Sequence, residues 1–568
     1  MTTLTGHLQA GPPEQEVLHV RVTGSFDRYA ADYYPYKDLN GALAPGAAPR
    51  TINLPVSQQA NPQAGALSGG FGRLDWYDRI HLIPGVLALG NLVSEQQRTI
   101  EVWNAWLVPQ RLASVVGVGT DGLTLTEPVA APTTFGALES RLYTLSISLT
   151  GPPTIDAGYT FDFAGAGQAP VLAVTGARVI GLVFRPNWRP GAPLIERLVW
   201  LTDVIRRRDG SEQRIGLRSI PRREFEYLVT LTDASAARLD AAVWGWQARV
   251  FAVPIWTDPA VLAAELPAGS SSVPVSTALR DYAAGTLAAL VQDDYDHEIV
   301  EVQAVTGGSI TLARPTTQTW PAGTHLYPAR LARMGARVRI TRPTAAVVEA
   351  RIALQVEPLQ PLAGITGPAP TTYQGADAYL TPPNRVEALD DDITRALEII
   401  DAQTGPWAVD DPEGRPDIVR SYRWLLRDRA AVAAHKAWLL ARAGRLSSAW
   451  VPTFSRDMEL VAQAGGTATT LVIEDIGYRN MYALAVGRRD IAVRLPSGAW
   501  ALRRIVGADQ VVPGQERIQI DSALGVTVDP GVWICLLGLH RLDTDRVELA
   551  WHSAEVVDAS ANLRLVPA

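Results

Sequence analysis

Lysine is nearly missing from this chain: of 51 basic residues only Lys37 and Lys436 are lysines, and arginine supplies the rest. With abundant Ala, Gly and Pro, this bias reflects a GC-rich coding sequence more than a chemistry. Cysteine is rarer still. Cys535 stands alone in the apolar run "GVWICLLGL", which excludes internal disulfides, leaves no thiol cluster for zinc, and reads as a buried, inert thiol. No run of 18 apolar residues occurs, and "MTTLTGHLQAGPPEQE" has neither a basic stretch nor an apolar core of a signal. A soluble protein made in a cytoplasm, with no membrane insertion, is expected. The eight histidines are scattered singly, and no G-x-S-x-G, H-E-x-x-H or Walker pattern appears, so no catalytic, cofactor-binding or metal-binding residue is assigned. Positive charge is also short. A net charge of −7 argues against nucleic acid as the main partner, because non-specific binding rests on neutralising phosphates over an extended basic face.

What is present is a long, folded, strand-patterned chain. At 568 residues, with 47% hydrophobic and 19% charged residues, it exceeds one core and should divide into several domains. Residues 1–75, rich in Gly, Pro, Gln and Asn, read as an extended N-terminal arm that Tyr33, Tyr34 and Tyr36 anchor to another surface or fold into a local hairpin. Residues 76–179 change to short alternating segments with Gly/Pro turns every 8 to 15 residues, the pattern of a β-sandwich. The order "L-x-L-G…V-W-N" followed by a late "Y-x-L-x-I-S" strand resembles the immunoglobulin-like modules of the ASPM, SPD-2 and hydin type. That resemblance makes Asn104 the turn-bonding residue after the central strand.

The remainder repeats itself. "VVEARIALQVEPL" (Val347 to Leu359) matches "VVDASANLRLVPA" (Val556 to Ala568), and Arg222 to Pro259 parallels Asp417 to Met458 as strand, acidic turn, helix, strand and a V-P-x-aromatic element carrying Trp256 or Phe454. A unit of about 190 residues is therefore duplicated: repeat one over 180–362 with an insertion at about 262–331, a linker at 363–372, and repeat two over 373–568 with an insertion at about 459–540. Each insertion reads as a small β-barrel. The fold class is mainly β and multidomain, with one short helix per repeat. Asp233 or Ser235 is expected to cap the first helix; the second should open at Asp428 and stop at Gly444, with Val432, Leu439 and Leu440 on its apolar face. "DDDITRALEIIDAQ" predicts a further helix behind the acid run Asp390 to Asp392, whose carboxylates would complement its dipole.

Local candidates for chemistry have structural explanations. "GVGTDG" (Gly117 to Gly122) fits G-x-G-x-x-G but precedes a strand, so a hairpin turn is expected. "DDYDHE" (Asp293 to Glu298) lacks the glycine and ligand spacing of a calcium loop and reads as an exposed charged turn. Glycosidase carboxylates need no local motif, yet large hydrolase folds seldom come as two copies of a small β unit, and the expectation is no enzyme. Trp103 and Trp106, Trp244 and Trp246, and Trp256 read as core, with a sugar-binding platform as the other option.

The most basic stretch is "RRRDGSEQRIGLRSIPRREFEYLVTL", seven arginines between Arg206 and Leu231. A phosphate patch, a catalytic cluster and a structural motif compete to explain them. With "V-W-L-T-D" ahead and "V-P-I-W-T-D" behind, about 80 residues resemble the phage minor-tail and distal-tail families of long non-contractile tails. The matching positions are Glu212, Gln213, Arg214, Pro221, Arg222, Arg223, Phe225, Tyr227, Trp256, Thr257 and Asp258. Repeat two keeps Pro416, Tyr422, Arg427, the helix and Pro452, but lacks the "E-Q-R" and "R-R" signatures. The resemblance implies tail-tube-like β-domains in a structural virion protein of the tail tip or baseplate, a ring joining the tail tube protein to the hub and tip proteins. It implies a homo-oligomer, either a trimer presenting a pseudo-six-fold ring or a hexamer, with Glu212, Gln213, Arg214, Arg222, Arg223 and Asp258 as subunit-interface candidates, since planar guanidinium groups hold acids in fixed geometry. It implies no cofactor. A receptor-binding or carbohydrate-binding tail protein is the alternative.

Overall fold

The computed structural model describes residues 77–92, 95–148, 151–152, 154–189, 191–357, 361–401, 403–481, 483 and 485–567. The expected arm, with Tyr33, Tyr34 and Tyr36, lies outside them. The chain is mainly β and forms two compact units, one ending at Ile180 and one running from Gly181 to Ala568.

The first unit is a β-sandwich of two four-stranded sheets. One runs Ile80–Ile83, Gln96–Asn104, Ser140–Ile147, Leu123–Thr126; the other runs Val86–Leu92, Val171–Arg178, Thr154–Asp162, Ser114–Val118. Alternation turns Ile100, Val102, Tyr143, Leu145, Phe161 and Val174 inward to make the core between them. Asn104 is fully buried at the end of its strand and locks the following turn: Nδ2 donates to the carbonyls of Gly136 (2.7 Å) and Val108 (3.2 Å), and Oδ1 accepts from the Trp106 amide. Gly117 to Gly122 does turn the chain, but not as a hairpin. The strands it joins pair with different neighbours in opposite sheets, so it is a crossover at the sandwich edge.

The second unit contains both repeats. In repeat one, β1 (Leu194–Arg206) and β2 (Glu212–Thr232) form a long hairpin, followed by α1 (Asp233–Trp246), β3 (Val250–Pro254), the insertion, β4 (His325–Met334), β5 (Arg339–Thr341) and β6 (Val347–Val356). Repeat two has β7 (Asp391–Thr394), β8 (Asp417–Leu426), α2 (Arg429–Arg442), β9 (Ala449–Pro452), its own insertion, β10 (Trp533–Leu542), β11 (Arg546–Trp551) and β12 (Val557–Leu565). Pairing partners correspond residue by residue. Pro254 faces Ala329 as Pro452 faces Leu537, Ala332 faces Val356 as His540 faces Leu565, and Arg339 faces Arg351 as Glu548 faces Ser560. The insertions follow suit, Ala260 facing Leu326 as Met458 faces Ile534, and each encloses its own apolar core.

The strands form because inward and outward positions alternate. Along β2, Phe225, Tyr227, Val229 and Leu231 point inward while Glu224 and Glu226 point out. The same parity carries Arg223 into the interior, and in β1 it carries Glu196 in among Leu194, Leu198 and Trp200.

Two helix expectations fail. Asp390 to Asp401 is not helical: β7 pairs antiparallel with β8, and Glu398–Ile400 pairs with Ala408–Asp410. Every residue from Asp391 to Ile400 is exposed, so a helix there would find no core for its apolar stripe, while the edge of β8 offers backbone partners. Neither Asp233 nor Ser235 caps α1; Thr232 holds the N-cap position without a side-chain bond, and Ser235 Oγ donates to Tyr295 Oη. The second helix does open at Asp428, whose carboxylate accepts from the Ala431 amide, and closes through left-handed Ala443 and Gly444.

Candidate functional site: the seam between the repeats

β1 of repeat one pairs with β11 of repeat two, from Leu194 opposite Trp551 to Val199 opposite Arg546, and joins both repeats into one sheet system. Since Glu196 points inward there, its fully buried charge must be answered locally. Arg223 Nε donates to Oε1 at 2.7 Å; Lys436 Nζ at 2.7 Å and Trp551 Nε1 at 2.9 Å reach Oε2. Lys436 comes from α2, where Val432, Lys436 and Leu439 share one buried face, and its ammonium lies 4.8 Å from the centre of the Trp551 ring. Burial alone would raise the Glu196 carboxyl, but Arg223 and Lys436 outweigh it and hold it at about 2.

The network continues inside repeat one. Arg223 Nη1 donates to Asp281 Oδ2 at 2.5 Å, and the other Asp281 oxygen accepts from Arg330 Nη2 (2.7 Å) and the Ala363 amide (2.8 Å). Desolvation opposes the charge on Arg223, yet Glu196, Asp281 and Asp258 raise its pKa further. Asp258 accepts from the Asp281 amide at 3.0 Å and from Arg429 Nη2 of α2 at 2.8 Å, a second ionic tie across the seam. A small pocket between Asp258, Arg429, Lys436 and Trp551 has room for about one water molecule.

Beyond β11 the β1–β2 hairpin extends over repeat two, and here Arg206 and Arg208 of the basic stretch find their acids. Arg206 donates to Asp417 at 2.8 Å and to Glu413 at 2.6 Å; Arg208 lies 2.7 Å from both Glu398 and Asp410. Glu212 accepts both nitrogens of a bidentate Arg541 fork at 2.7 Å, and Arg214 donates to Ser448 Oγ at 2.9 Å. Asp545 closes the line, accepting from the amides of Thr202 (2.7 Å) and Arg445 (2.9 Å).

Four of the six interface candidates find partners within the chain. Glu212 and Arg214 do so because the hairpin is long enough to lie on the sister repeat, Arg223 through Glu196 and Asp281 of its own repeat, and Asp258 through Asp281 and Arg429. Gln213 and Arg222 are exposed. Arg223 and Asp258 converge through Asp281, whereas Glu212 and Arg214 lie farther out along the hairpin. Glu196, Asp281, Arg330, Lys436, Trp551 and Asp545 were missed. Two of them carried a signal: Glu196 occupies an inward position of an alternating strand, and Lys436 breaks the arginine bias on the apolar face of a helix.

The other candidates resolve as structural parts. Asp293 Oδ1 accepts from the amides of Tyr295 and Asp296 and closes the turn, while Glu298 accepts from Trp320 Nε1 at 3.0 Å. Among the described residues no group of three His, Cys, Asp or Glu side chains is placed to hold a metal. Burial pushes the Cys535 thiol up to about 12. Trp103 and Trp256 are buried, whereas Trp244 on α1 is 92% exposed.

The seam is thus built from buried ion pairs around a joined sheet, an arrangement that fixes two bodies in one register. No family model and no curated protein matches the chain. Among solved structures, the crystal structure of tripeptidyl peptidase 2 aligns over 89% of this chain at 8% identity with a TM-score of 0.18. The chain spans 38% of that protein's length, and a likeness this slight carries no argument about fold or activity.

Proposed function

We propose that the chain is a structural virion protein of a phage tail tip, a distal-tail-type ring adaptor between the tail tube and the central hub. One observation carries the reading: two register-matched β units are locked edge to edge by a heterologous joint, the right side of one against the left side of the next. A joint of that kind is the repeating element of a ring, and a single chain already contains one. The resemblance of the β2 region to tail proteins supplies the setting, and the seam accounts for Arg206, Arg208, Arg214 and Arg223 without nucleic acid. Its partners are then further copies of itself, the tube protein and the hub proteins. Three chains would present six repeats.

Native mass measurement of the purified protein tests this. A trimer at three times 61.2 kDa, or a hexamer at twice that, with a central opening in electron micrographs, is the expected result. A strictly monomeric particle that instead binds glycans in an array would overturn the adaptor in favour of receptor recognition.

A further inference from the structure

The seam uses one edge of each repeat, and among the described residues the matching edges at the far ends of the pair stay open. Register identifies them. Asp391 faces Arg420 as Glu196 faces Phe225, so Asp391 and Asp392 of β7 occupy the places of Glu196 and Arg197 in β1. Arg339 and Ile340 of β5 occupy the places of Glu548 and Leu549 in β11. β1 and β11 pair with each other; among the described residues β7 pairs only with β8, and β5 only with β6.

We propose that these two open edges pair between copies of this chain, head to tail, with Asp391 opposite Ile340 and Asp392 opposite Arg339. The within-chain seam dictates that register, since Glu196 lies opposite Leu549 and Arg197 opposite Glu548.

Charge supports the pairing independently. In the seam Arg197 Nε contacts Glu548 Oε1 at 2.6 Å. At the open edges the same two positions hold Asp392 and Arg339, both exposed and without an ion-pair partner among the described residues, with the signs exchanged. The acid run Asp390 to Asp392 would meet Arg337, Arg339 and Arg342. Arg342, next along from β5 at the Trp551 position, lies 3.6 Å from Asp240, and Asp391 already pairs with Arg420 at 3.2 Å within its own repeat, so the charge match across the edges rests on Asp392 and Arg339. The sign exchange also sets the order of assembly: β7 against a second β11 would put Asp392 on Glu548, and β1 against a second β5 would put Arg197 on Arg339.

Exposed apolar surface lies at the same two ends. Ile393, Ile399 and Trp407 are 57%, 55% and 66% exposed beside β7, and Trp244 projects from α1, the helix whose counterpart α2 is covered in the seam. Unpaired edges flanked by apolar side chains are templates for another strand.

Closure of the chains into a ring rests on the function proposed above; the edge pairing does not. Sedimentation velocity of the full chain is compared for wild type, Arg339→Glu, Asp392→Arg and the double exchange, with circular dichroism confirming that each is folded. Each single reversal sets like charges opposite one another and is expected to weaken self-association about tenfold or more. The double exchange should restore it. A wild type that is monomeric throughout overturns both the pairing and the ring. Assembly that the single variants leave intact, or that the folded double variant fails to regain, overturns this pairing alone. Oxidation of an Arg339→Cys, Asp392→Cys double variant should in turn link neighbouring chains into a ladder, since Cys535 is buried; a chain that stays unlinked while assembled also counts against the register.

Discussion

At the residue scale the seam depends on charges that have left water. Replacing Glu196 by Gln leaves Arg223 and Lys436 facing one another without their shared anion, and breaking a buried pair in this way costs about 3–5 kcal/mol. The pH dependence has a definite sign. The folded carboxyl sits at about 2, below the ordinary 4.5, so its contribution is full above pH 4.5 and disappears as pH falls toward 2. Urea unfolding across that window should show a flatter slope for Glu196→Gln than for wild type, and an unchanged slope would refute the assignment. His435 acts in a neighbouring window. Burial lowers it to about 3 from 6.5, so the unfolded chain takes up a proton that the native one refuses, and stability declines from pH 6.5 toward pH 3. His435→Phe should flatten that decline, checked by the same titration. What the sequence could say about these residues was limited to parity and type. It marked Arg223 and Asp258 as consequential, but a charge pattern does not tell whether the answering acid belongs to the same chain or to the next. The partners of Arg223, Glu196 and Asp281, lie 27 and 58 residues away, and only folding brings them together.

At the element scale the two helices separate local signals from tertiary ones. Asp428 caps α2 with a side-chain bond that Thr232 does not make for α1. Asp428→Ala should therefore cost about 1 kcal/mol in denaturant unfolding, and Thr232→Ala markedly less. Gly444 has a second duty beyond its φ of 71°. A Cβ there would stand 2.8 Å from Trp200 Cβ and run into the Asp545 carboxylate, which holds Thr202 and Arg445. Gly444→Ala should loosen the hairpin from repeat two and expose the Asp545 line to amide exchange, whereas protection equal to wild type would show the contact to be slack. The matching order of strands and helix in the two halves of the second unit was legible because strand alternation and the V-P-x-aromatic element recur in both. The stretch Asp390 to Gln403 was misread because its acid run and apolar spacing satisfy helical rules, while its state is decided by a sheet edge that local rules do not see.

At the scale of the whole molecule the repeats are one body. The hydrogen bond from Trp551 to Glu196 spans 355 residues, and the β1–β11 ladder runs beside it, so neither repeat presents a finished surface without the other. Residues 181–568 made as a fragment should keep a single cooperative unfolding transition, because the compact unit begins at Gly181. Residues 361–568 alone would uncover Trp551, which is 1% exposed in the intact chain, and strip Lys436 of the carboxylate that compensates its burial. That fragment should aggregate or unfold more readily than the pair. Mixing it with residues 181–360 supplies β1, Glu196 and the basic hairpin, and should rebuild a one-to-one complex whose unfolding follows that of 181–568. Reassembly ought to weaken with salt through the exposed pairs of Arg206 and Arg208 and to persist through the buried ones, so calorimetric titration at two ionic strengths separates their shares. Two fragments that each fold and ignore one another would show that the repeats adjoin without cohesion, and would remove the basis on which the seam serves as a template for joining one chain to the next.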